Sequence, residues 1–168
     1  MEATAPGLPK LPERNNNETL ANTLMHYLGS SHVGYNLKPF RLSIFGELPG
    51  RIGSSGALDL AIAAFVSILQ TQQSSSAQLS PRSQRLYFCG LKVLQKSFEI
   101  EKGNPNTLCA AYILWECSVW VTHYADISRG YGEGIVNLIS NTVCQDFSGP
   151  FLRGVCSGIT TTLVSTVY

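Results

Sequence analysis

The sequence predicts an all-α protein of about six antiparallel helices, arranged as a bundle of helical hairpins. Apolar residues recur at helical spacing in successive segments, and Pro, Gly and polar stretches separate those segments. The tail after residue 158, ITTTLVSTVY, is β-branched and locally typical of a strand. Since no other strand is available to pair with it, the tail is predicted as the end of a last helix.

The composition indicates a domain with apolar surface to cover. Of its 168 residues, 44% are hydrophobic and only 14% are charged, against about 25% charged in an average domain. A partner, a missing half or a membrane could cover the excess. The formal net charge of +1 and the scattered Lys and Arg residues give no nucleic-acid footprint.

Residues 1–17 are predicted to be a disordered leader, because they are rich in Pro and Asn and offer little to bury. Acid and proline stand where a signal peptide has basic and apolar regions. No apolar run reaches the roughly 18 residues that a membrane span needs. Residues 18–168 are expected to form one helical domain.

The first half of that domain is predicted as two helices joined by an irregular, packed segment. Leu20, Leu24 and Leu28 form one face of a helix over 18–28. Residues 30–55 lack a sustained period but are too apolar for a solvated loop, so short helical turns are expected there. A helix over 58–69, apolar nearly all round, is predicted to be central. Residues 71–78 are predicted to form a polar loop.

The second half is predicted as four further helices. Ser80-Pro81 is a typical helix start, and an apolar stripe follows it, with a basic face opposite that is predicted to be solvated. A second buried helix is expected from about 104 to about 124. Helices over 135–143 and 151–167 complete the prediction. The stripe consists of Tyr87, Leu91, Leu94 and Phe98, and the basic face of Arg82, Arg85, Lys92 and Lys96.

Catalytic chemistry is not indicated, and the chain is predicted not to be an enzyme. The sequence has no Gly-x-Ser-x-Gly elbow, and its carboxylates are sparse. His123 is close enough to Asp126 for a structural hydrogen bond across a helix end. Glu116, inside an apolar helix, either faces a groove or pairs with a basic residue.

The cysteines predict neither a metal site nor another cofactor site. They form no Cys-x-x-Cys pair and no zinc-ligand spacing. Free thiols are expected, and Cys109 and Cys117, which lie in apolar helical sequence, are predicted to act as small buried hydrophobes. The five residues are Cys89, Cys109, Cys117, Cys144 and Cys156.

A small-molecule pocket is the alternative function that the residues themselves suggest. The second buried helix carries aromatic and polar side chains that could line such a pocket or could simply belong to the core. These residues are Tyr112, Trp115, Glu116, Trp120 and His123.

Three stretches together resemble the middle regulatory region of fungal-specific transcription factors of the binuclear zinc-cluster class. The first contains a Phe-Gly pair, then Leu-Pro-Gly-Arg-Ile-Gly, then Ala-Leu-Asp opening an apolar helix. It is similar to the family's Phe-Gly, Val-Pro-Arg-Arg-Ile-Gly and Ala-Leu-Asp, with Gly50 where the family usually has Arg. Its motif residues are Phe45, Gly46, Pro49, Arg51, Gly53, Leu58 and Asp59.

The other two stretches follow in the family's order. Thr-Leu-Cys-Ala-Ala, which contains Leu108 and Cys109, resembles the start of a family helix. The third, Trp120-Val121-x-His123 with Ser128-Arg129, resembles the family's Trp-x-x-His and the helix after it.

The resemblance implies an all-α regulatory domain in the nucleus that acts through protein partners. The family's six-cysteine zinc cluster is absent here, so direct DNA binding is not expected. The family's regulatory region usually continues further, so this chain is interpreted as a truncated or isolated one. A small-molecule-sensing module and a non-functional gene fragment remain the alternatives.

Overall fold

The computed structural model describes residues 14–29, 44–73, 79–100, 104–122 and 149–167. These residues form five α-helices and two short 3₁₀ helices, with no strand among them. The α-helices are α1 (Arg14–Gly29), α2 (Gly56–Gln73), α3 (Pro81–Ile100), α4 (Pro105–Thr122) and α5 (Pro150–Val167). The 3₁₀ helices, Ile44–Gly46 and Leu48–Arg51, lie between α1 and α2.

The predicted all-α class is confirmed, with five helices in the described ranges rather than about six. The helix predicted over 135–143 lies outside the described residues. The β-branched tail is helical to Val167, as predicted, despite its local strand propensity.

α1 begins earlier than predicted. Residues 14–17, which the sequence predicts to be part of the leader, form the first turn of α1. Asn17 of this turn lies against the segment before α2: a Cβ on Gly53 would be 3.0 Å from Asn17 Nδ2. The turn has no apolar residues of its own, so no apolar pattern in the sequence indicates it. Residues 1–13 lie outside the described part.

α2 is central, as its composition predicts. Its side chains from Ala57 to Leu69 are buried apart from Leu60 and Ala63, which are half-buried. The helix packs against α1, α3 and α4, most extensively against α3. It continues to Gln73, into the segment predicted as a loop.

α3 has one apolar face and one solvated face. Tyr87 and Leu94 of the predicted stripe are buried, whereas Leu91 and Phe98 are half-buried against the core. The predicted basic face is exposed at all four positions. The helix therefore covers one side of the central pair α2 and α4.

Four hydroxyl groups join α2 to the start of α3. Ser83 Oγ, fully buried, lies 2.8 Å from Ser67 Oγ, 2.8 Å from Ser80 Oγ and 3.3 Å from Thr71 Oγ1. Ser83 N donates to Ser80 Oγ at 3.1 Å, which makes Ser80 the N-cap predicted from Ser80-Pro81. The network satisfies polar groups at a corner from which water is largely excluded.

α4 is the second central helix. Every side chain from Thr107 to Trp115 is buried, and the helix packs against α2, α3 and α5. Asn104 caps its start, since Asn104 Oδ1 accepts a hydrogen bond from Asn106 N at 2.9 Å.

α5 approaches its neighbours closely through two glycines. A Cβ on Gly154 would lie 2.7 Å from Ile44 Cγ2, and one on Gly158 would lie 3.0 Å from the ring of Tyr112. The absence of side chains at these positions lets α5 pack on the first 3₁₀ helix and on α4. The irregular segment between α1 and α2 therefore contacts α5 through its first 3₁₀ helix, and it contacts α1 through its second.

Candidate functional site

Arg51 is the centre of a polar cluster that joins three parts of the chain. It ends the second 3₁₀ helix, and its side chain is 32% exposed. The guanidinium carbon lies 3.4 Å from the ring centroid of Phe151 on α5, within cation–π range. Arg51 Nη2 also lies 3.7 Å from Glu47 Oε2, a pair at the solvent edge that contributes little by itself.

The start of α4 completes this cluster. Arg51 Nη1 donates to Asn106 Oδ1 at 3.1 Å, and Asn106 Nδ2 donates to Ser54 Oγ at 3.1 Å. Ser54 Oγ in turn donates to the carbonyl oxygen of Arg51 at 2.6 Å. We call Glu47, Arg51, Ser54, Asn106 and Phe151 the Arg51 cluster.

Gly53 and Asp59 fix the turn from this cluster into α2. Gly53 has φ of +91°, a region that favours glycine, and its N–H donates to Asp59 Oδ1 at 2.8 Å. Asp59 is only 5% exposed. Its burial raises the pKa of the carboxyl group above 3.8, although the Gly53 hydrogen bond acts in the opposite direction.

The free energy of unfolding of Asp59→Asn, measured relative to that of the natural protein, is expected to increase as the pH rises. A carboxyl whose folded pKa is raised stabilises the fold below its unfolded pKa, and this contribution is lost as the pH rises through the folded pKa. Asn keeps the acceptor for Gly53 N but carries no charge. Urea melts at about pH 4 and about pH 7 should show the larger gain at the higher pH.

Asp59→Ala is the control for this test. It removes both the charge and the acceptor, and the unpaired Gly53 N–H should cost about 1 kcal/mol relative to Asp59→Asn. A gain for Asp59→Asn that does not depend on pH would contradict the assignment.

The structure places Arg51 of the first motif stretch beside the residue that precedes the second stretch. Arg51 contacts the helix start that precedes Leu108 and Cys109, and both of these side chains are buried. Among the others, Phe45, Leu58 and Asp59 are buried, Pro49 is half-buried, and Gly46 and Gly53 are exposed. The third stretch from His123 onward lies outside the described residues.

The described cysteines are free, as predicted, and two of them are deeply buried. Burial raises the pKa of the Cys109 thiol; the positive charge of Arg51 lowers it in part, and Glu47 raises it. Burial, with the nearby Glu116 charge, also raises the pKa of Cys117. Both thiols are therefore weak nucleophiles, as expected of core cysteines.

Of the five predicted pocket residues, the structure describes three side chains. Tyr112 and Trp115 belong to the hydrophobic core, where the Tyr112 ring meets Phe45 edge-on with centroids 6.2 Å apart. Glu116 is half-buried on the same helix. The side chain of Trp120 and all of His123 lie outside the described part.

A cleft that the sequence did not indicate lies elsewhere, among α1, α2 and α3. Its volume is about 360 Å³, the lower part of the range for small-molecule sites. Because three helices distant in sequence form it, no local pattern identifies it. Its lining residues are Asn16, Thr19, Leu20, Thr23, Ala63, Val66, Ser67, Gln70, Arg82 and Leu86.

Replacing the partners in the Arg51 cluster is expected to reveal coupling. Arg51→Ala and Asn106→Ala should each lower the free energy of unfolding by about 1 kcal/mol, and the double variant by about 1 kcal/mol less than their sum. Urea melts of the four proteins measure the coupling. Arg51→Lys should retain only part of the stability, since an ammonium cannot stack as the planar guanidinium does.

Arg85→Ala is the matched control for Arg51→Ala, because Arg85 is exposed on α3. It should change the free energy of unfolding by less than about 0.5 kcal/mol. Additive effects of Arg51→Ala and Asn106→Ala would show that their hydrogen bond contributes nothing measurable.

Within the described ranges, no three His, Cys, Asp or Glu side chains are grouped so that they could hold a metal ion. None of the described helices combines the length and apolar character that crossing a membrane requires. Comparisons with known protein families, with curated proteins and with solved structures gave no match. The resemblance to a regulatory region therefore remains a prediction from the three motifs.

Proposed function

We propose that this chain is a transcription-factor-like regulatory domain that acts in the nucleus through contacts with another protein. The observation that supports it best is the Arg51 cluster. Arg51 belongs to the first motif, and it binds Asn106, which stands directly before the second motif. One residue of the first motif thus fixes the start of the helix that carries the second motif, which gives the two stretches a structural connection.

Exposed apolar side chains support action through a protein partner. Phe88 and Met25 are about half exposed, and Ile100 is 81% exposed. Burying these side chains against a partner would remove apolar surface from water, which is favourable. DNA recognition would belong to the partner or to another segment, because this sequence contains no zinc cluster.

The first experiment tethers the 168-residue chain to an unrelated DNA-binding domain and measures transcription of a reporter gene. A change in reporter output, together with capture of a nuclear protein, is expected. Phe88→Ser should weaken the capture, whereas Lys92→Ser, exposed on the same helix, should not. Unchanged reporter output and a chain located outside the nucleus would contradict the proposal.

A urea melt of the isolated chain tests the fragment alternative. The continuous core predicts a cooperative transition. A chain that is insoluble, or that shows no transition, would favour a non-functional fragment.

A further inference from the structure

We propose that the cleft among α1, α2 and α3 binds a small amphipathic carboxylate, a molecule with an apolar body and one anionic end. The site is separate from the Arg51 cluster and from the predicted aromatic pocket. The proposal does not depend on the transcriptional function proposed above.

The apolar part of the cleft comes from all three helices. Leu20 of α1, Ala63 and Val66 of α2, and Leu86 of α3 line it. Val66 is buried, while the other three side chains are half-buried. A ligand that covers them would remove apolar surface from water, which is favourable.

The charge of the cleft selects an anion. Arg82 is the single charged residue of the lining. Among the described residues, no carboxylate forms an ion pair with it. A guanidinium can hold a carboxylate through two parallel hydrogen bonds, so a ligand carboxylate at this end would give Arg82 the ion-pair partner that the described residues do not supply.

Ser67 can add a hydrogen bond to the ligand. It lines the cleft and is also 2.8 Å from Ser83 Oγ, and either hydroxyl can be the donor of that bond. When Ser83 donates, the Ser67 proton is available to a ligand oxygen. The buried hydroxyl network therefore offers a donor close to the helix that carries Arg82.

The volume indicates how large a ligand the cleft can hold. If each non-hydrogen atom needs about 30 Å³, the share of a water molecule in the liquid, then 360 Å³ holds about 12 such atoms. Octanoate and phenylpropanoate are of this size. Ligands of so few atoms are expected to bind with a dissociation constant on the order of 1 mM.

The test is a thermal melt of the 168-residue chain with increasing octanoate or phenylpropanoate, each compared with the alcohol of the same skeleton. Both carboxylates should raise the melting temperature in a saturable manner, and the alcohols should raise it less. Arg82→Gln should weaken carboxylate binding about twofold to fivefold. Arg85→Gln, on the same helix but outside the lining, should leave binding unchanged.

Ala63→Phe fills the cleft from the central helix and should abolish the melting shift. Since this variant could lose stability, the binding site is also located in the natural chain, by mapping the amide chemical shifts that the carboxylates change. The perturbed amides should lie around Thr23, Ala63 and Leu86. Perturbations elsewhere, equal effects of acid and alcohol, or unchanged binding in folded Ala63→Phe would overturn the proposal. Perturbation of these amides by a captured protein partner, with none by either carboxylate, would overturn it as well.

Discussion

Phe45→Ala is expected to lower the free energy of unfolding by about 3–5 kcal/mol. Phe45 is fully buried, and its ring centroid lies 5.2 Å from that of Phe65 and 6.2 Å from that of Tyr112. It therefore attaches the irregular segment to both central helices at once. Truncation would leave a cavity between elements that are already held in place, so relaxation could fill only part of it.

Phe88→Ala is the matched control for Phe45→Ala. Phe88 is 52% exposed, and its described ring contact is an edge-on one with Tyr87, centroids 5.4 Å apart. The change should cost about 1 kcal/mol or less. Urea melts of the two variants give the comparison, and similar losses would contradict the placement of Phe45 in the core.

Gly53→Val is expected to cost about 2–4 kcal/mol, the second large effect. At φ of +91° a β-branched side chain is strained whatever space surrounds it. The new Cβ would also lie 3.0 Å from Asn17 Nδ2, so the Asn17 side chain would have to move away. Thermal or urea unfolding measures the loss.

Gly50→Val is the control, because it shows whether the loss comes from the backbone conformation at Gly53 or from introducing valine at any glycine of this segment. Gly50 is exposed, and a Cβ there would meet nothing within 4 Å. Its substitution should cost less than about 1 kcal/mol. Equal losses at the two glycines would rule out the backbone explanation.

Much of the helical framework could be predicted because its signals are local. Ser80-Pro81 and Asn104-Pro105 contain both the capping residue and the first helical residue, and both helices begin there. The near-continuous apolar character of α2 and α4 predicted two central helices, and the burial of both follows that pattern. Periodicity and caps were sufficient for these elements.

The Arg51 cluster and the cleft could not be predicted, because they depend on residues far apart in sequence. Arg51 and Asn106 are 55 positions apart, and their facing side chains have no common local pattern. The same holds for Asn17 in the early turn of α1, which lies close to Gly53. Such contacts follow from the packing of whole helices rather than from propensity.

The unbroken burial of α4 from Thr107 to Trp115 has a consequence for hydrogen exchange. From Ala110 onward, beyond the first turn of the helix, the amides of this stretch lie under packed side chains on several sides. They can exchange only when the surrounding helices separate, so their exchange reports the global opening of the domain. Amides at the start of α1 can exchange through local opening, which leaves the centre intact.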